Sequence, residues 1–140
     1  MKNSLPRIAI IGAGSRGSMF GDLISQSGLG KIMAVAEPRT EYREAFAHRH
    51  SISPEHVFSS WQDLYDKSSD YDAAVVATMD QEHVGAALAS LYTKQHLLLE
   101  KPMATNLADC EKIAAAATKA GVITSVCHSL RYGAPFRKLK

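Results

Sequence analysis

Three short stretches hold residues whose types and spacing could do chemistry. The first is residues 7–17, R-I-A-I-I-G-A-G-S-R-G, where a β-branched apolar run leads straight into glycines 12, 14 and 17. G-x-G-x-x-G at the end of a strand is the spacing that admits a dinucleotide pyrophosphate. Gly12 permits the tight turn, Gly14 lets the backbone approach the phosphates, and Gly17 lets the next helix pack close to the sheet. Ser15 and Arg16 complete the turn, where free N–H groups and the positive end of the helix dipole face an anion. The second is Glu37, twenty residues past Gly17. An acid there accepts both hydroxyls of an adenosine ribose and repels a 2′-phosphate, which favours NAD over NADP. Arg39, Arg43 and Arg16 are the cations that could reach such a phosphate instead.

The third stretch is Glu100-Lys101-Pro102. Proline has no N–H and a fixed φ, so it ends the preceding strand and pins the backbone of the lysine. A lysine in a partly desolvated cleft gives up its proton more readily and can exchange it with a substrate hydroxyl. Lys101 is therefore the candidate catalytic residue.

These groups need a scaffold, and the chain alternates strands with helices. Apolar runs at 7–11, 32–36, 57–58, 73–77, 96–99 and 122–127 predict six strands. Helical patterns follow at 15–27, 40–50, after Ser60, from the turn 78–81 to 92, and at 107–120. Thr40 is expected to cap the second helix, with Tyr42, Ala45 and Phe46 on its inner face. Ser60 caps a short helix holding Trp61 and Leu64. Thr105 or Asn106 caps the last one, and Gly121 ends it. Strands apolar on both faces, alternating with helices, predict an α/β fold: a Rossmann-type doubly wound parallel sheet of about six strands with helices on both faces. Ligands of such sheets lie beyond the carboxyl ends of the strands. That rule selects residues 12–17, Glu37, residues 78–80, 100–102 and 128–132.

Composition narrows the function further. The 140 residues are one domain's worth of chain, 46% hydrophobic, with 16 basic and 14 acidic residues in no blocks. Such a balance offers no electrostatic footprint for nucleic acid or an anionic membrane. The polar start M-K-N-S-L-P-R is no signal peptide, and no run approaches the ~18 apolar residues of a membrane helix. Cys110 and Cys127 fit neither a disulfide framework nor a zinc spacing. A reducing, cytoplasmic setting and no metal site are expected. Cys127 and His128 read as structural or substrate-facing.

Taken together, G-A-G-S-R-G at 12–17, V-A-E-P at 35–38, A-T-M-D-Q-E-H at 77–83, L-L-L-E-K-P-M-A at 97–104 and H-S-L-R-Y-G-A-P at 128–135 resemble the N-terminal domain of the Gfo/Idh/MocA oxidoreductases. These are the glucose–fructose oxidoreductase and inositol dehydrogenase family. The resemblance implies hydride transfer between NAD and a secondary alcohol of a sugar, cyclitol or similar polyol. It places Lys101 at the nicotinamide ribose and substrate, Glu100 beside that ribose, and Thr78, Asp80 and His83 along the cofactor. It also brings Arg131 close to cofactor or substrate. Many relatives have Pro-Asn where this chain has Met79-Asp80. The resemblance further implies a second domain carrying the substrate pocket and the contacts of a homo-oligomer, and that these residues alone do not turn over substrate. The closing F-R-K-L-K reads as a basic helical stub, as expected of a piece of a longer protein. Two other functions share the motifs. One is a relative that oxidises transiently during glycoside cleavage, with no net redox; the other is a non-catalytic NAD-sensing module.

Overall fold

The computed structural model describes residues 4–68, 70–134 and 138. The closing segment 136–140, expected to be a helical stub, lies outside the described residues except for Lys138. The elements run β1 (Arg7–Ile11), α1 (Ser15–Ser27), β2 (Lys31–Ala36), α2 (Thr40–Arg49), β3 (Val57–Phe58), α3 (Trp61–Lys67), β4 (Ala73–Val76), α4 (His83–Tyr92), β5 (His96–Glu100), α5 (Leu107–Ala120) and β6 (Thr124–Cys127). Short 3-10 turns cover Pro54–His56, Asp80–Glu82 and Ser129–Tyr132.

The six strands form one sheet in the order β3-β2-β1-β4-β5-β6, every neighbouring pair parallel. Period-two alternation divides the core cleanly. Ala9, Ile11, Ala34, Ala36, Ala74, Val76, Leu97 and Leu99 face one side, where Leu64 of α3, Leu91 of α4 and Ile113 of α5 meet them. Ile10, Val35 and Val75 face the other, under Phe46 and Ala47 of α2 and Phe20 and Ile24 of α1. Both faces are thus covered, which explains why the strands read as unbroken apolar runs. Each fully buried side chain of the size of Ile10 contributes roughly 1.5–3 kcal/mol of transfer free energy.

Local chemistry sets the helix ends. The Ser60 hydroxyl accepts the Asp63 N–H at 3.0 Å and caps α3. The Asn106 side chain accepts the Asp109 N–H at 3.0 Å, so Asn106 and not Thr105 caps α5. Gly28 and Gly121 end α1 and α5 in the left-handed region. Helix α2 departs from expectation. Its N-cap is Arg39, and Thr40 is the first helical residue. The Thr40 hydroxyl accepts from Arg43 Nη2 at 3.1 Å and so does not serve as a cap. Phe46 and Ala47 form the buried stripe of α2, while Tyr42 and Ala45 are exposed.

Candidate functional site

The strand order reverses direction between β1 and β4, so α1 and the turn after β4 leave the sheet on opposite sides and open a cleft. Its volume is about 730 Å³. Of the residues singled out from sequence, Gly12, Gly14, Ser15, Arg16, Glu37, Arg39 and Thr78 line it.

The glycine turn is built as the spacing demands. Gly12 has φ +90°, and its N–H donates to the Ala36 carbonyl at 2.8 Å. A Cβ there would come within 2.5 Å of the Ala77 carbonyl oxygen, so both backbone angle and space require glycine. At Gly17 a Cβ would overlap the Gly12 carbonyl oxygen, because α1 sits directly on the turn. Gly17 is thus buried beneath the cleft and acts through packing. Gly14 differs: a Cβ would meet only Arg39 Nη2, at 3.3 Å, because that side of the backbone opens into the cleft. Gly14 is also the N-cap of α1, with no side-chain hydrogen bond, and the first turn holds no acid. The Ser18 hydroxyl donates to the Ala13 carbonyl at 3.0 Å and so leaves the first-turn N–H groups uncapped. Uncapped N–H groups, the dipole's positive end and a nearby guanidinium suit the pyrophosphate of a dinucleotide. The cradle fits the group.

Glu37 directly follows β2, with its side chain 3% exposed. One carboxylate oxygen accepts the Ala13 N–H at 2.9 Å and Arg39 Nη2 at 3.1 Å. The other accepts the Arg39 N–H at 3.0 Å and Arg39 Nε at 2.7 Å. Burial pushes this carboxyl up, but the Arg39 side chain and the two N–H donors outweigh it and hold Glu37 below the usual carboxylate range. Arg39 in turn lies over the Tyr42 ring, 3.9 Å from its centroid. Arg43 is committed to the Glu37 and Pro38 carbonyls, at 2.7 and 3.1 Å.

A second buried acid, Glu100, ends β5. Its Oε1 takes Arg16 Nε at 2.9 Å and Nη2 at 2.8 Å, and its Oε2 takes the Lys101 N–H at 3.0 Å. Beside it in register is Cys127, whose thiol is pushed up by burial and by the Glu100 carboxylate.

Five other residues singled out from sequence lie outside the cleft lining. Lys101 is exposed, so the partly desolvated setting expected of it is absent among the described residues. Arg131, in the turn Ser129–Tyr132, is exposed as well. Neither belongs to the cleft lining, nor do Asp80 and Glu100. Asp80 opens a 3-10 turn that carries it outward and brings Glu82 to the cleft in its place. His83 is 1% exposed. Its Nδ1 lies 2.7 Å from the Pro102 carbonyl oxygen and its Nε2 3.3 Å from that of Thr78, so both ring nitrogens face protein carbonyls.

The cleft also holds residues that the motif reading missed: Ser59, Ser60, Trp61 and Gln62. The signal was available. They follow β3, and the rule that ligands gather beyond strand ends applies to a two-residue strand as to a long one.

Comparison with known proteins agrees with this architecture. The model of the Gfo/Idh/MocA oxidoreductase family, NAD-binding Rossmann fold, matches residues 6–128. The 1,5-anhydro-D-fructose reductase of Ensifer adhaerens is 30% identical over 111 residues, which are 79% of this chain and 32% of that enzyme. The myo-inositol 2-dehydrogenase of Thermotoga maritima is 25% identical over 134 residues, 96% of this chain and 39% of that enzyme. Among solved structures, the WlbA dehydrogenase of Bordetella pertussis in complex with NADH and UDP-GlcNAcA superposes with a TM-score of 0.87. It is 26% identical, over 98% of this chain and 41% of that one. The chain spans 32% and 39% of the length of the two curated relatives named here. No helix among the described residues is long and apolar enough to cross a membrane. The family match runs through all six strands and the cleft at their carboxyl ends, and the chain belongs to the Gfo/Idh/MocA oxidoreductases, as their NAD-binding Rossmann domain.

Proposed function

We propose that this domain holds NAD(H), in preference to NADP(H), for hydride transfer to or from a secondary alcohol carbon of a sugar, cyclitol or similar polyol. The observation that carries the reading is the buried Glu37 carboxylate, held by the Ala13 N–H beside the uncapped start of α1. The first-turn N–H groups of α1 hold the pyrophosphate, with Gly14 leaving room for it. Glu37 accepts the ribose hydroxyls, and Arg39, already stacked on Tyr42, swings off its carboxylate. The nicotinamide, when bound, supplies the hydride chemistry. Lys101 supplies the proton side, exchanging a proton between its Nζ and the substrate hydroxyl. Glu100 holds the backbone of Lys101 and ties it, through Arg16, to the phosphate turn. Reductase and dehydrogenase relatives that act on sugar-like compounds support the substrate class. The substrate pocket, the cover over Lys101 and the contacts of a homo-oligomer fall, on this reading, to a further domain.

Calorimetric titration tests the cofactor assignment. NAD(H) should bind measurably and more tightly than NADP(H). Gly14→Val should abolish binding while circular dichroism stays native. Tighter binding of NADP(H) would mean that Arg39 or Arg16 outweighs Glu37 and would overturn the preference.

A further inference from the structure

We propose that His83 is a positioning residue for Lys101. The inference rests on the catalytic reading of Lys101 given above. His83 opens α4 directly after the 3-10 turn Asp80–Glu82, and its imidazole enters the protein rather than the cleft. Nδ1 lies 2.7 Å from the Pro102 carbonyl oxygen; Nε2 lies 3.3 Å from that of Thr78. Both partners are acceptors. The shorter contact marks Nδ1–H as the donor that holds the Pro102 carbonyl, and Nε2 lies against that of Thr78 at the longer distance.

The two carbonyls belong to different walls of the site. Thr78 lines the cleft, whereas Pro102 follows Lys101. A single buried ring therefore sets the separation between the cleft wall after β4 and the turn after β5. The His83 ring is 1% exposed, so its Nδ1 donor is withdrawn from solvent, although Pro102 itself is exposed. The Lys101 backbone is then held on both sides: its own N–H donates to Glu100 Oε2, and the next carbonyl is taken by His83. Its side chain alone is free, and where Nζ can reach follows from where the turn is fixed. A reacting group displaced by about 1 Å loses on the order of 10²-fold in rate.

The test compares His83→Asn, His83→Gln and His83→Ala in the complete enzyme. Asparagine places an amide N–H near the Nδ1 position, whereas glutamine places it near Nε2. Positioning predicts that His83→Asn keeps most of kcat, while His83→Gln and His83→Ala lose on the order of 10–10²-fold, with the Kd for NAD(H) within a few-fold of wild type. Backbone amides of Lys101, Met103 and Ala104 should exchange with deuterium faster in the alanine and glutamine variants and at the wild-type rate in the asparagine one. Adding Lys101→Ala to His83→Ala should cost nothing beyond Lys101→Ala alone. Unchanged exchange at those amides, or equal kcat losses for asparagine and glutamine, would overturn the inference. Full activity of Lys101→Ala by itself would instead overturn the catalytic reading beneath it.

Discussion

Two strands of this sheet end in the same way and do different things with it. Glu37 directly follows β2 and Glu100 closes β5; both are buried, both accept a backbone N–H from the turn that follows, and both are paired with an arginine. The partner of Glu37 is two residues away, at the N-cap of α2. The partner of Glu100 is Arg16, 84 residues distant in sequence and on the far side of the strand-order reversal. The local pair lines the cleft. The long-range pair joins the phosphate turn to the lysine turn, so its geometry is shared by both halves of the site. Equal chemistry thus yields a pair at the cleft surface in one case and a brace in the other, and chain connectivity decides which.

The contrast can be broken most directly by cofactor titration. Glu37→Gln should weaken NAD binding on the order of 10²-fold, since a charged acceptor of two hydroxyls is lost. Glu100→Gln, outside the cleft lining, should leave it within a few-fold. Equal losses in the two variants would show that Glu100 touches the cofactor after all.

A smaller effect concerns stability. Replacing Glu37 by glutamine turns an NH₂ group or a weaker acceptor toward the Ala13 N–H and should cost about 1–3 kcal/mol at neutral pH. The sign with pH follows from the depressed folded-state value. The contribution is fully present above the ordinary glutamate range and is lost as pH falls through the lowered value. Denaturant unfolding should therefore show the wild-type advantage over Glu37→Gln at pH 7, and show it shrinking below about pH 4. A gap that persists undiminished in acid would assign it to packing.

The smallest effects separate the arginines. Arg39 and Arg16 side chains are 54% and 41% exposed, so each alanine variant should cost no more than about 1 kcal/mol of stability. Their cofactor effects should differ. Arg39→Ala should shift the NAD-to-NADP preference by a few-fold, whereas Arg16→Ala should leave that ratio unchanged and slow catalysis. A shifted ratio in both would erase the distinction between surface and brace.

Much of this was legible from residue types alone. Six strands, the cap Ser60, and the two glycine requirements at Gly12 and Gly17 follow from local rules that the structure obeys, and the structure chooses Asn106 over Thr105 as the cap of α5. What failed depended on where a side chain points after a change of helical pitch. The 3-10 turn Asp80–Glu82 rotates Asp80 out, Glu82 in and His83 down, and no spacing rule carries that information. Tyr42 was misplaced because Arg39 offers its ring a cation at the surface, a partner that an apolar pattern does not register. Lys101 was expected in a desolvated cleft, yet desolvation depends on what covers a turn rather than on the turn itself.

Trp61 is the chain's one tryptophan, and the fold has put it in the wall of the cleft. Its ring leans on Gly85, where a Cβ would lie 2.7 Å from the indole, so its orientation is fixed by backbone. Indole emission overlaps the absorption of a reduced nicotinamide and not that of the oxidised one. The domain therefore has a native optical donor at its binding site, and occupancy and redox state can be told apart in the unlabelled protein by quenching and sensitised emission.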